Sequence, residues 1–224
     1  DASVASDKKF ALLTCGEGAL PQDTALDGFV ITGGKNDGNV NGNGGGMYNN
    51  SGSPTVANCA FIGNTAGQKG GGMFNDGNSA VVTNCLFEGN RAAAYSGNGG
   101  GIHNYNTVAV TVTKCSFTGN YATYGGAIYT QSGTQTITDC YFENNSASLG
   151  GAVNNEGASG TITGCTFIGN KATDIGGAMY NVSGGSITVK DCTFSANSAK
   201  NHGGAVNNDK THPAFINCTF AANS

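Results

Sequence analysis

"NCAFIGN", residues 58–64, returns as "NCLFEGN" at 84–90 and "KCSFTGN" at 114–120. Seven cysteines, Cys59, Cys85, Cys115, Cys140, Cys165, Cys192 and Cys218, are each followed two residues later by Phe and five later by Asn. Their spacings are 26, 30, 25, 25, 27 and 26 residues. A second motif, Gly-Gly-[Gly/Ala]-[Met/Ile/Val], keeps the same beat and ends at Met47, Met73, Ile102, Ile128, Val153, Met179 and Val206. A period of this size marks a solenoid, in which a unit cannot bury its own apolar face and gains a core only by stacking on its neighbours.

Composition read without the period would mislead. With 38 Gly, 11% charged residues and no Trp in 224 residues, the chain has the profile of a low-complexity segment. No run of about 18 apolar residues is present, so no membrane insertion is expected. The net charge of −4 provides no basic footprint for nucleic acid. The first ten residues, DASVASDKKF, lack an apolar stretch, and the expectation is mature or excised material.

The residues within one unit choose among solenoids. Three positions before each Cys stands a large apolar residue: Val56, Val82, Val112, Ile137, Ile162, Val189 or Phe215. Strand side chains alternate faces, so this residue and the Cys point oppositely unless the chain bends between them. The residue just before Cys is Asn58, Asn84, Lys114, Asp139, Gly164, Asp191 or Asn217, and Asn, Asp and Gly tolerate a left-handed corner. Lys114 is the poor fit. Such a corner turns Val, Cys and Phe all inward.

The Gly motif supplies another short strand, with Met, Ile or Val inward and Asn two residues on, replaced by Thr130 in one coil. Asn stacked in successive coils can hydrogen-bond to each other, and the Gly pairs mark a bend where a Cβ would collide. Two or three short strands per unit, without helical periodicity, predict an all-β fold. The expected architecture is a right-handed parallel β-helix of about eight coils and about 26 residues per coil. Residues 26–224 form this domain. "LDGFVITGG" aligns with "VANCAFIGN", which sets Gly28 at the corner, Phe29 in the Cys place, Ile31 in the Phe place and Gly34 in the Asn place. Residues 1–25, with Cys15, are expected to form an irregular first turn.

"GGAI", "GGAV" and "GGAM", paired with "FTGN", "FENN", "FIGN" and "FSAN", resemble the repeats of polymorphic outer-membrane protein passengers. More widely they resemble secreted bacterial right-handed β-helix repeat proteins of the pectin-lyase-like class. The resemblance covers residues 26–224 and implies an extracellular or cell-surface structural or adhesive module. The chain stops at "NCTFAANS" without a capping segment or a membrane barrel. End-to-end stacking of copies into a fibril is therefore expected, with truncation from a longer polypeptide as the other explanation of the same ending.

No catalytic, cofactor-binding or metal-ligating set is expected. Polysaccharide-cleaving sites need clustered carboxylates or calcium together with Arg or Lys. This chain has one arginine, Arg91, and its acids recur at no shared position. One inward Cys per coil offers no tetrahedral zinc set, and a column of free thiols is favoured over disulfides. His103 and His202 are expected as exposed ladder members.

Two outward arrays are candidate binding surfaces. Tyr48, Phe74, His103, Tyr129 and Tyr180 follow the inward Met, Ile or Val and form a candidate row for glycans or a partner. Thr111 and Thr113, Thr136 and Thr138, and Thr161 and Thr163 make Thr-x-Thr ranks that resemble those of ice-binding solenoids. Val81, Lys190, Ala214 and Ile216 break them, and β-propensity alone explains Thr on a solvent face. Polysaccharide binding or cleavage and ice binding stand as the alternatives to a structural role. Asn49, Asn144, Asn181 and Asn217 match the N-glycosylation pattern, with Asn144 the best placed.

Overall fold

The computed structural model describes residues 13–16, 25–37, 42–77 and 79–224. Among them no helix occurs, and the strands of each coil pair in parallel with those of the next. The Phe motifs build an eight-stranded sheet whose strands follow chain order, from Val30–Thr32 to Thr219–Ala221. Its register sets Phe61 against Phe87, Phe87 against Phe117 and Phe117 against Phe142. The repeat thus translates directly into a stack, seven steps long from the first strand of this sheet to the last.

A 14-stranded sheet carries both the Gly-motif strands and the Thr-x-Thr strands. In two coils the two segments fuse into single long strands, Ile102–Thr113 and Ile128–Thr138. The register between them shifts at Thr107/Ala109, a bulge that leaves Val108 exposed. A further face follows each Phe-x-x-Asn: Lys35–Asn36, Thr65–Ala66 and Arg91–Ala92 form one short sheet, and Ser146–Leu149, Lys171–Ile175 and Ser198–Ala199 another. Single bridges from Arg91 to Tyr121 and from Tyr121 to Ser146 join the two. This face puts a column of small residues inside, Ala66, Ala92, Ala122, Ala147 and Ala172.

The corner before each cysteine is left-handed throughout, with φ of 52° at Asn58, 53° at Asp139 and 65° at Gly164. Lys114 adopts it as well, at 54°. Val56, Cys59 and Phe61 are consequently all buried, and so are their equivalents up to Val189, Cys192 and Phe194. The phenyl rings stack with centroids 4.6–5.0 Å apart and planes within 8°. Isolated aromatic pairs favour offset or edge-on contact, so it is the strand register that imposes this near-parallel column.

The buried asparagines form two ladders. In the first, Asn49 donates to Asn75 at 2.7 Å, Asn75 to Asn104 at 2.9 Å, Asn155 to Asn181 at 2.7 Å and Asn181 to Asn208 at 2.7 Å. The second is built from the Asn of Phe-x-x-Asn. The Asn120 backbone N–H and Nδ2 both donate to Asn145 Oδ1, and Nδ2 also donates to the Phe87 carbonyl. The same pattern recurs at Asn64, Asn90, Asn145, Asn170 and Asn197, so groups whose burial would be costly are paired within the stack. The Gly motif is equally constrained. A Cβ on Gly126 would lie 2.2 Å from the Gly151 carbonyl oxygen.

The seven repeat cysteines are free thiols, buried except for the half-buried Cys218. Each sulfur lies near the carbonyl two residues back, at 3.0 Å for Cys59, and the backbone N–H of Cys85, Cys115, Cys140 and Cys165 points at the next sulfur at 3.4 Å. Burial pushes the Cys59 thiol up from its ordinary pKa.

The N-terminal region follows the alignment in its register. Ile31 does sit opposite Phe61, and Gly34 N–H does donate to Asn64 Oδ1 at 2.9 Å. Phe29 takes the Cys place in the register, its carbonyl accepting from Ala60 N–H at 2.8 Å as that of Cys59 accepts from Leu86 N–H at 2.9 Å, and its ring is 44% exposed. Within residues 1–25, Leu13–Gly16 already pairs in parallel with Met47–Asn50, which sets Cys15 opposite Asn49 and not in the cysteine column. Residues 1–12 and 17–24 lie outside the described residues.

Candidate binding groove

The aromatic row is assembled as the register demands. Tyr48 stacks on Phe74 at 5.3 Å, Phe74 meets His103 at 5.2 Å, and His103 meets Tyr129 at 4.9 Å. It is not an exposed surface. Phe74 is 2% and His103 0% exposed, Tyr129 and Tyr180 are buried, and Tyr48 is half-buried. Rings above and below cover each other, while Tyr105 packs against His103 and Tyr124 against Tyr129. The Tyr129 hydroxyl donates to Glu156, and burial followed by that contact raises its pKa. Burial, with Asp209 as the next cause, raises that of Tyr180.

His103 is therefore not an exposed ladder member, whereas His202 is exposed. Neither ring nitrogen of His103 has a hydrogen-bond partner of good geometry. Burial holds its pKa well below the ordinary histidine value, the Lys69 charge adds to this, and the Asn98 backbone pulls the other way.

The threonines are brought together as ranks. Thr111, Thr136, Thr161 and Thr188 share one row, and Thr113, Thr138 and Thr163 share the next. Thr136 and Thr161 are exposed; Thr111, Thr113, Thr138 and Thr163 are half-buried. Val81 and Ala214 interrupt the first row, Lys190 and Ile216 the second. Of the glycosylation candidates, Asn49 and Asn181 are buried ladder members and are not available to a transferase in this fold. Asn144 is exposed at a left-handed corner, φ 53°. Asn217 is also exposed, with its amide donating to Asp191 at 2.6 Å.

One open concave feature among the described residues lies on the Ala-column side. Arg91, Ala93, Ala94, Tyr95, Tyr121, Thr123, Tyr124, Ser148, Leu149 and Asp174 line a groove of about 430 Å³. Arg91 and Tyr121 are opposed by the strand bridge, which brings the guanidinium 5.2 Å from the ring centroid. Tyr121 is 47% and Tyr95 100% exposed. Arg91 was the chain's lone arginine in the sequence, without a role. The 30-residue spacing between Cys85 and Cys115 was the signal that this coil carries extra residues. Among the described residues no three His, Cys, Asp or Glu side chains gather as a metal set.

A family model described as right handed beta helix region matches residues 49–220. The chain belongs to that family, which gives the solenoid its right hand. Neither the curated proteins nor the solved structures yield a match.

Proposed function

We propose that the chain is a non-enzymatic structural or adhesive module working outside the cell or at its surface. The observation that carries this reading is the division between inside and outside. Inward positions repeat Val or Ile, Cys, Phe, Asn and Ala coil after coil, whereas the departures, such as Ala93–Ser96 and Val108, stand on the outer faces. A stiff stack of this kind presents surface side chains at fixed spacing. The likeness of its repeats to secreted β-helix proteins supports the location.

The test is incubation with pectic and alginate-type polysaccharides, following new chain ends. No cleavage is the expected outcome; cleavage by the purified chain would replace this reading with the enzymatic one. Thermal hysteresis is expected to be absent, since Lys190 and Ile216 break the threonine ranks.

End-to-end association belongs to the same proposal. Each coil seats its Phe on the one before it, as Phe220 stacks on Phe194 at 4.8 Å, and a coil from a second copy could seat by the same register. Electron microscopy is expected to show rods that lengthen with concentration. Discrete short rods at every concentration would remove this part.

A further inference from the structure

The insertion in the longest coil has a defined architecture. Its chain turns back through a hydrogen bond from Gly97 N–H to the Ala94 carbonyl at 2.9 Å. Thr123 of the following coil pins it, with its hydroxyl 3.0 Å from the Tyr95 carbonyl and 3.3 Å from that of Ala94. Tyr95 is thereby held at the lip of the groove with its ring in solvent. Tyr121 and Tyr124 belong to the next coil, Ser148 and Leu149 to the one after, and Asp174 to the fourth. Three steps of about 4.8 Å give the groove a length on the order of 14 Å.

We propose that this groove binds a neutral oligosaccharide a few sugar rings long. The inference rests on the adhesive reading above and names its ligand class. Sugar rings present apolar C–H faces that lie against aromatic rings, and hydroxyl edges that need both donors and acceptors. Tyr95, Tyr121 and Tyr124 supply the ring faces. Arg91 supplies donors, Asp174 supplies acceptors, and Ser148 does both. The guanidinium is already stacked on Tyr121, and the Asp174 carboxylate is already oriented by the Asn201 amide at 2.6 Å, so little order remains to be imposed on binding. Arg91 and Asp174 carry opposite charges at the two ends of the groove, so the pair favours a ligand without net charge. A carboxylated sugar drawn to Arg91 would bring its next acidic unit toward Asp174.

Neutral linear tetrasaccharides (cello-, laminari-, manno- and chito-type) titrated against the chain by NMR test this, with trigalacturonate as the acidic comparator. At least one neutral sugar is expected to bind saturably at up to millimolar concentration. Tyr95→Ala and Tyr121→Ala are each expected to weaken it by about tenfold, and Tyr95→Ala, whose ring stands wholly in solvent, to leave the unfolding midpoint unchanged. Tyr141→Ala, an exposed tyrosine outside the groove, is expected to bind as the parent does. The proposal is overturned if no neutral sugar binds, if binding survives both tyrosine variants, or if trigalacturonate binds more tightly than every neutral sugar. None of these outcomes alters the cleavage assay, on which the non-enzymatic reading stands or falls separately.

Discussion

Thr130 and Gln135 together fill one rung of a ladder that asparagine fills elsewhere: the Thr130 hydroxyl donates to Gln135 Oε1 at 2.8 Å. Asn104 donates into this rung through Thr130 Oγ1 at 3.2 Å, and Gln135 Nε2 passes the chain on to Asn155 Oδ1. The threonine side chain is too short to reach the next coil, and the buried glutamine five residues later spans the gap.

Gln135→Ala should therefore leave two buried partners unpaired, the Thr130 hydroxyl and the Asn155 carbonyl oxygen. The expected loss is about 2–4 kcal/mol, read as a lower urea midpoint. Adding Thr130→Asn to that variant restores the asparagine rung and should recover most of the loss. A Gln135→Ala variant as stable as the parent would show that the ladder contributes nothing here.

Lys114 holds a left-handed corner that its equivalents give to Asn, Asp or Gly. Its side chain is exposed, so Lys114→Gly removes backbone strain without opening the core. A gain of about 1 kcal/mol is expected. Ala196, at φ 54° in the turn between Phe and Asn where other coils have Gly63, Gly89 and Gly169, should respond to Gly in the same direction.

The pH dependence follows from His103. Its folded pKa is depressed, so below the ordinary value of about 6.5 the unfolded chain takes up a proton that the folded chain refuses. Its contribution to stability is fully present above that pH. Below it, stability falls by up to about 1.4 kcal/mol per pH unit until the folded pKa is reached. His103→Phe fits the row between Phe74 and Tyr129 and should flatten this part of the profile. Unfolding midpoints between pH 4 and 8 report the difference.

Two glycines separate close approach from conformational need. A Cβ on Gly119 meets nothing within 4 Å, although φ is +62° there, and Gly119→Ala should cost about 1–2 kcal/mol. On Gly126 the same atom would lie 2.2 Å from one carbonyl oxygen and 2.6 Å from another, both backbone. Gly126→Ala should cost well over 3 kcal/mol or stop the upper and lower halves of the stack from seating together. Chemical denaturation of the two variants side by side reads the contrast.

Much of the fold was legible because a solenoid repeats its burial pattern in the chain. Val56, the Asn58 corner, Cys59 and Phe61 could be assigned inward or outward from one unit and checked on six more. The Asn of Phe-x-x-Asn was visible as a motif, but its three bonds to the next and previous coils were not. Those bonds depend on how far each side chain reaches between rungs. The aromatic row was located correctly and its exposure misread, because alternation says which face of a strand a ring takes and not what lies against that face.

The sequence by itself determined the period, the left-handed corners, the inward columns and the parallel stack, because each follows from short-range geometry repeated at a fixed interval. Only the tertiary structure decided that His103 and its row are sealed, that Gln135 completes a rung, and that Arg91, Tyr95, Tyr121, Tyr124 and Asp174 converge on one groove. Those residues come from different coils, and their meeting is set by the roughly 4.8 Å step between rungs and by an insertion whose path no local pattern encodes.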